Sequence, residues 1–105
     1  MNVRKAILKA GIMIFFSAMI SVSANAADVA AGKAKASLCV SCHGLNGISS
    51  SPTVPNLAGQ KAVYLAKAVR DFKTGARKNG AMSTFASMIA DADIDNIAAY
   101  YESLK

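Results

Sequence analysis

Apolar residues recur at helical spacing in three parts of the chain, and each part predicts a helix. The predicted helices cover residues 28–42, 60–74 and 91–104. The two later helices each carry one apolar stripe, formed by Ala62, Leu65, Ala66, Val69 and Phe72 in one and by Ile94, Ile97, Ala98, Tyr101 and Leu104 in the other. Residues 27–105 show no strand-like alternation of polar and apolar positions, so we predict an all-α fold.

Capping residues mark the predicted helix ends, and one glycine interrupts the first helix. Asp28 can cap the start of that helix, and Gly75 follows the second, where a C-terminal cap is expected. Gly32 costs about 1 kcal/mol relative to alanine inside a helix. Either another helix crosses close to its backbone or the glycine is simply tolerated, and the residues alone leave both interpretations open.

Two irregular segments are predicted between the helices. Residues 44–59 contain three glycines, two prolines and three consecutive serines. A loop of this length without regular structure is uncommon in a small domain unless it wraps something. A second irregular segment is expected after Gly75, and it includes an Asn79-Gly80 turn signal and Met82.

The N-terminus has the three parts of a secretory signal. A basic start is followed by an uncharged, largely apolar run at residues 10–22 and by a small-x-small cleavage pattern at residues 24–26. The thirteen residues of that run are too few to span a bilayer, since a spanning helix takes roughly 20. We therefore expect residues 1–26 to be a cleaved signal peptide and residues 27–105 to be an exported, periplasmic domain.

The net charge changes once the signal is set aside. The formal charge is +6, but three cations belong to the signal and residues 27–105 carry +3. A mildly basic domain of this kind is not expected to bind nucleic acid. A chain of this size rarely secures its fold with a protein core alone, so a further stabilising group is expected.

The chain's only cysteines and its only histidine form one motif, Cys39-Val40-Ser41-Cys42-His43. This Cys-x-x-Cys-His spacing is the attachment signature of c-type haem. The two thiols add across the porphyrin vinyl groups, and the histidine binds the iron. Cys39 and Cys42 are three residues apart and share one face of a helical turn. We therefore predict one covalent haem c, which would also be the stabilising group of this small domain.

Other interpretations of the motif are weaker. A zinc site normally needs four protein ligands, and no further cysteine or histidine is available. A thioredoxin-type dithiol is expected at the start of a helix in an alternating strand-helix pattern, which is absent from this sequence. A structural disulfide between Cys39 and Cys42 would leave His43 unexplained.

The second axial ligand of the iron has two candidates. A bis-histidine haem within one chain is excluded, and the methionines of residues 27–105 are Met82 and Met88. Met82 follows the Asn-Gly turn in a segment predicted to be irregular, where its sulfur is free to reach the iron. Met88 lies in an apolar patch and is expected to be core packing. We favour Met82; Met88 and an open sixth position are the alternatives.

The order of these motifs resembles the class I c-type cytochromes, above all the short bacterial monohaem kind and each half of the two-haem periplasmic cytochromes. The resemblance covers residues 27–105. It rests on the Cys-x-x-Cys-His motif, Pro55-Asn56-Leu57-Ala58-Gly59-Gln60, Met82, and the Asp93-Ile94 and Ile97-Ala98-Ala99-Tyr100-Tyr101 pattern. It implies a class I cytochrome c fold, in which three main helices and irregular loops surround one covalent haem.

The resemblance also implies roles for single residues. In this family a proline carbonyl accepts a hydrogen bond from Nδ1–H of the proximal histidine, so Pro55 would orient His43. Leu57 would pack on the haem. Met82 matches the spacing of the family's distal ligand, and Met88 does not.

Two further implications concern packing. Gly32 and either Tyr100 or Tyr101 would lie where the first and last helices cross. Ala90 departs from the family pattern, which usually has a serine N-cap at the start of the last helix, so Asp91 or water would serve the first amides there.

The ligands predict the function. A histidine and a thioether fill the coordination sphere of the iron and leave no place for a small-molecule substrate, which indicates a soluble electron carrier and not an enzyme. The expected partners are redox proteins, including a membrane-bound oxidase or reductase of a respiratory chain. The alternatives are a haem-based redox or gas sensor, or a peroxidase-like subunit, with a dissociable sixth ligand, and a non-haem thiol oxidoreductase.

Charge is distributed unevenly along the second half of the chain. Residues 61–78 carry a local charge of +5, and residues 91–105 carry −3. Two interpretations of the basic segment 61–78 are open. It either steers acidic partners to the exposed haem edge or is an ordinary solvated helix face.

Overall fold

The computed structural model describes Gly11 and residues 26–105, and the predicted signal peptide lies almost entirely outside this part of the chain. The described residues form five α-helices and one 3₁₀-helix. In chain order these are α1 (Val29–Lys35), the 3₁₀-helix (Ala36–Leu38), α2 (Val40–His43), α3 (Ala62–Thr74), α4 (Gly80–Ser87) and α5 (Asp91–Ser103). No strand is present within residues 26–105, and the predicted all-α class is confirmed.

The first predicted helix starts as expected but is not continuous. The Asp28 side chain accepts a hydrogen bond from Ala31 N–H at 3.0 Å and caps α1. The chain then tightens into the 3₁₀-helix, and Cys39 N–H bonds to Ala36 O at 2.8 Å. A new helical turn starts at Cys39, whose carbonyl accepts from His43 N–H at 2.9 Å. The prediction of a single helix over residues 28–42 was therefore wrong, because this sequence pattern does not distinguish an α-turn from a tighter 3₁₀-turn.

Helices α1 and α5 cross at Gly32, which is buried. A Cβ at this position would lie 1.9 Å from the carbonyl oxygen of Asn96. The Asn96 side chain also accepts a hydrogen bond from Asp28 N–H at 2.8 Å. Of the two interpretations of Gly32, the close helix crossing is confirmed.

Four of the five residues predicted for the apolar stripe of helix α3, Ala62, Leu65, Ala66 and Val69, pack in or against the core, and Phe72 does not. A residue of α5 caps the start of α3. Lys61 provides no side-chain cap, and Ala62 N–H donates instead to the Glu102 carboxylate at 3.0 Å. The helix ends at Gly75, which adopts the left-handed conformation with φ 83°. This confirms the predicted C-terminal cap, since glycine takes that conformation without steric cost.

The segment after Gly75 is more regular than predicted. Residues 80–87 form α4, and Asn79 is its N-cap, so the Asn79-Gly80 pair begins a helix and does not form an isolated turn. The expectation of an irregular segment at Met82 was therefore wrong. Asparagine serves turns and N-caps through the same short side chain, and the sequence alone did not separate the two uses.

Helix α5 supplies most of the hydrophobic core. The buried residues of this helix are Ile94, Ile97, Ala98, Tyr100 and Tyr101. Leu65 and Ala66 of α3, Ala36 and Ile89 pack with them. Ala90 provides no side-chain cap at the start of α5, as its sequence predicts. Within residues 26–105, no helix combines the length and apolar character needed to cross a membrane.

Candidate functional site

The Cys-x-x-Cys-His motif occupies the short helix α2 and the residue before it. Cys39 is the N-cap residue of α2, and Cys42 and His43 lie inside it. Both cysteines are free thiols, so the structural disulfide considered above is not formed. Cys39 is partly buried and packs against the core, whereas Cys42 is exposed. The break between α1 and α2 therefore places the motif on its own helical turn.

His43 is held in one orientation by the loop that follows it. The side chain is only 7% exposed, and its Nδ1 lies 2.8 Å from the carbonyl oxygen of Pro55. A carbonyl oxygen can only accept a hydrogen bond, so Nδ1 carries the proton in this contact. The lone pair of Nε2 is then free to bind a metal, and the shared proton makes the imidazole a better donor to it.

Internal hydrogen bonds fix the position of Pro55 in loop 44–59. The carbonyl of Gly47 accepts from the N–H groups of Leu57 at 2.8 Å and Ala58 at 3.0 Å. Asn56, next to Pro55, accepts from Ser49 N–H at 2.7 Å. These bonds join residues that precede the proline to residues that follow it. The sequence, which lacks any helical or strand pattern here, did not reveal them.

The same loop is tied to α2 and packs on α5. Ser49 Oγ donates to the Cys42 carbonyl at 3.2 Å. Leu57 is partly buried and packs against the core cluster. Gly47 has a positive φ of 73°, and a Cβ there would lie 3.0 Å from the Tyr101 ring. Loop 44–59 therefore joins the motif helix to the C-terminal helix, which explains why it is ordered without regular structure.

Tyr101 is a site residue that the sequence assigned only to packing. Its side chain is 1% exposed, and its hydroxyl is buried without a hydrogen-bond partner among the described residues. Burial raises the pKa of this hydroxyl, and the neighbouring Cys39 thiol adds to the rise. Burial likewise raises the pKa of the Cys39 thiol. The sequence did not indicate that Tyr101 lies beside Cys39, because a tyrosine at this position also fits the apolar stripe of α5.

These residues fit a covalently bound haem. Cys39 and Cys42 offer two free thiols at the correct spacing, and His43 offers a nitrogen lone pair whose direction is fixed by Pro55. The unpartnered hydroxyl of Tyr101 fits as well, since a buried polar group without a partner indicates an additional polar group in the complete protein.

The two candidate methionines differ from expectation. Met82 lies in the first turn of α4 and is partly buried, and its N–H donates to the Asn79 side chain at 3.1 Å. Met88 follows α4 and is 54% exposed. The expectation that Met88 is buried core packing was therefore wrong, because Met88 is the C-cap residue of α4 and the next residue, Ile89, takes the buried position. Met82 as the distal ligand stays a prediction.

The basic segment 61–78 is less free than its sequence suggested. Three of its cations form ion pairs: Lys67 with Asp71, Arg70 with Asp95 at 3.1 Å, and Lys73 with Asp91 at 3.2 Å. The last two pairs connect α3 to the acidic start of α5. The uneven charge along the sequence is thus largely brought together in space, and within the described residues Lys61, Arg77 and Lys78 are outside these ion pairs.

Arg77 has a further contact within the segment, since its guanidinium lies over the Phe72 ring, 4.6 Å from the centroid. A stacked guanidinium remains charged but loses freedom to reach a partner. For Arg70 and Lys73 the structure favours the interpretation as a solvated, internally paired helix face.

Comparison with known proteins gives a consistent result over the described domain. A model of the Cytochrome c family matches residues 29–105. Cytochrome c-554(548) of Halomonas halodenitrificans is 44% identical over 81 residues, which cover 74% of this chain and 98% of that protein. Cytochrome c4 of Pseudomonas aeruginosa is 45% identical over 80 residues, which cover 76% of this chain and 40% of that protein.

The fold is shared with a solved structure. The crystal structure of reduced recombinant cytochrome c4 from Pseudomonas stutzeri superimposes with a TM-score of 0.71 at 38% identity, and the match covers 76% of this chain and 47% of that one. The matched part of the chain therefore spans nearly the whole of cytochrome c-554(548) and less than half of these two cytochrome c4 proteins.

Proposed function

This chain belongs to the cytochrome c family, and we propose that it is a periplasmic carrier of single electrons whose iron is held by His43 and Met82. The family's cofactor is haem c with its iron, attached covalently to two cysteines. In this chain the attachment residues are Cys39 and Cys42, which are its only thiols. When bound, the haem supplies an iron that cycles between the ferrous and ferric states.

The observation that carries the proposal is the hydrogen bond between His43 Nδ1 and Pro55 O. It fixes the tautomer and the ring orientation of a buried imidazole, so that Nε2 would be available to hold the iron without rearrangement. An electron carrier benefits from a ligand that stays in place when the charge of the metal changes. Loop 44–59 provides that rigidity through the bonds on Gly47 and Asn56.

The remaining residues have supporting roles in the proposal. Met82 supplies a neutral thioether, which favours the ferrous state more than a second imidazole would. Leu57 extends the apolar surroundings of the site and excludes water from them. With His43 and Met82 both holding the iron, no position would remain for a small-molecule substrate, which is why we propose a carrier and not a catalyst.

The experiment is a matched pair of methionine variants in the haem-loaded protein. Met82→Ala should abolish the sulfur-to-iron charge-transfer band at the red end of the ferric spectrum and allow the ferrous protein to bind carbon monoxide. Met88→Ala removes a half-exposed methionine from the same region and should leave both properties unchanged. Ready binding of carbon monoxide by the unmodified protein would instead favour the sensor or peroxidase-like alternative.

The proposed location and partners follow from the N-terminal sequence and the family. We propose that residues 1–26 direct export and are removed, and that redox proteins outside the cytoplasmic membrane, membrane-bound oxidases or reductases among them, exchange electrons with the haem. N-terminal sequencing of protein from the periplasmic fraction should start at Ala27. An intact N-terminus in the membrane fraction would contradict this part of the proposal.

A further inference from the structure

We propose that Asn79 is a positioning residue for the distal ligand, and that its N-cap holds Met82 at the iron. The inference rests on the proposed function, since it takes Met82 as the ligand. It concerns a residue that does not touch the haem iron itself and that the sequence pattern had assigned to a turn.

Asn79 has three hydrogen bonds to the first turn of α4. Its Oδ1 accepts from Met82 N–H at 3.1 Å, and its carbonyl accepts from Ser83 N–H at 2.7 Å. Its own N–H donates to Ser83 Oγ at 3.2 Å. The first of these bonds acts directly on the backbone of Met82, and the other two fix the next residue of the helix.

Apart from the bond that Thr84 Oγ1 donates to the Gly80 carbonyl at 3.0 Å, the first turn offers little other support, and that bond serves a carbonyl and not the N–H groups at the helix start. Gly80, the first residue of α4, has no side chain, and a Cβ there would meet nothing within 4 Å. Ala81 is exposed. The first N–H groups of a helix have no partner inside the helix, so without a cap they turn to water and the turn frays. Met82 lies in the turn that would fray.

Fraying of this turn would affect the iron because Met82 has to stay in place to compete with other ligands. A thioether bonds to iron weakly compared with imidazole, and its advantage is that the fold holds it next to the metal. Loss of the cap allows the methionine to leave more often. Any added ligand then binds more readily by the same factor, because it no longer has to displace a positioned sulfur.

The test compares three variants of the haem-loaded protein. Asn79→Ala removes the cap on Met82, and Asn79→Ser keeps a side-chain oxygen that can cap. Asp28→Ala removes the equivalent cap on α1, where Asp28 accepts from Ala31 N–H at 3.0 Å, and serves as the matched control. For each variant we would measure the affinity of the ferric protein for added imidazole, the charge-transfer band, and the hydrogen exchange of the Met82 amide.

Asn79→Ala should bind imidazole about fivefold more tightly than the native protein, the factor expected from a typical N-cap loss. Its Met82 amide should exchange faster, and Asn79→Ser should restore most of both effects. Asp28→Ala should lower thermal stability by a similar amount and leave imidazole binding unchanged. Equal imidazole binding in Asn79→Ala and Asp28→Ala would overturn the inference, because the cap would then be only structural.

Failure of the inference can be distinguished from failure of the proposed function. Met82→Ala, measured alongside, should lose the charge-transfer band. If that band persists in Met82→Ala, the ligand assignment itself is wrong, whatever Asn79 does. If the band is lost in Met82→Ala while Asn79→Ala matches native imidazole affinity, only the positioning role of Asn79 is overturned.

Discussion

Gly32 of α1 and the carbonyl of Asn96 in α5 are so close that a Cβ on the glycine would lie 1.9 Å from the oxygen. Both partners in this contact are backbone, so neither can move away by changing a rotamer. Helices α1 and α5 therefore meet at a fixed distance. The Asp28 N–H bond to the Asn96 side chain secures the same crossing one turn earlier.

We expect Gly32→Ala to destabilise the protein by at least about 2 kcal/mol, because the added methyl forces α1 and α5 apart. In an unobstructed helix the same change would stabilise it by roughly 0.5–1 kcal/mol, so the sign of the effect is diagnostic. Urea unfolding followed by circular dichroism measures it. Lys33→Ala, at an exposed position of the same helix, is the control and should stay within about 0.5 kcal/mol of the native value. A stabilised Gly32→Ala would contradict the crossing.

The covalent attachment is tested by extraction. After expression with the haem-attachment machinery, acidified acetone should leave the colour on the polypeptide, because thioether bonds survive conditions that remove a haem held only by its ligands. The double variant Cys39→Ser with Cys42→Ser should lose its colour in the same extraction. A native protein that releases its haem, or whose mass equals that of the bare chain, would disprove attachment at these residues.

The buried phenol of Tyr101 predicts an alkaline loss of stability. Its pKa is raised above the ordinary value of 10.0, first by burial, so the folded protein keeps the proton at pH values where the unfolded chain releases it. The contribution of the protonated hydroxyl to the free energy of unfolding is fully present below about pH 10. Above that pH it falls by up to about 1.4 kcal/mol per pH unit. Tyr101→Phe should flatten this decline in denaturant titrations of the ferrous protein.

The control for this prediction is Tyr64→Phe, because Tyr64 is 51% exposed. This variant should show the same pH profile as the native protein. If Tyr101→Phe also keeps the native profile, the Tyr101 hydroxyl has gained a partner in the haem-loaded protein that lowers its pKa again.

Steering by charge should depend on cations that are not already paired. Lys61→Glu combined with Lys78→Glu should slow electron transfer with an acidic partner, and the native rate should fall as salt rises, since screening shortens to about 10 Å at 0.1 M. Stopped-flow kinetics at several salt concentrations measures both effects. The double variant leaves Arg70 and Lys73 unchanged, because reversing their charges would break their ion pairs with α5. A slower rate could then come from a less stable protein and not from weaker docking.

Lys33→Glu combined with Lys105→Glu is the matched control, because it alters the net charge equally outside segment 61–78. If both double variants slow the reaction to the same extent, the effect comes from net charge and the basic segment is not the docking surface. Rates independent of salt would move docking to an uncharged part of the surface.

The sequence determined the chemistry of this protein and its class of fold. Cysteine and histidine occur nowhere else in the chain, so one motif contains every thiol and the residue that we propose as the proximal ligand. Helical periodicity located α3 and α5 within two residues of their observed bounds, because a long amphipathic helix repeats its signal over several turns. The Cytochrome c family match over residues 29–105 agrees with both.

The tertiary structure decided the details that depend on contacts between distant residues. The bond from His43 to Pro55 spans 12 positions, and the pairing of Arg70 with Asp95 spans 25. Short elements were also not predicted from the sequence. Helix α4 and the break before α2 each contain too few turns to produce a recognisable periodic pattern. Whether a methionine is exposed, a cation is paired or a tyrosine hydroxyl is left without a partner depends on what the fold brings next to it, and the order of residues along the chain does not specify those neighbours.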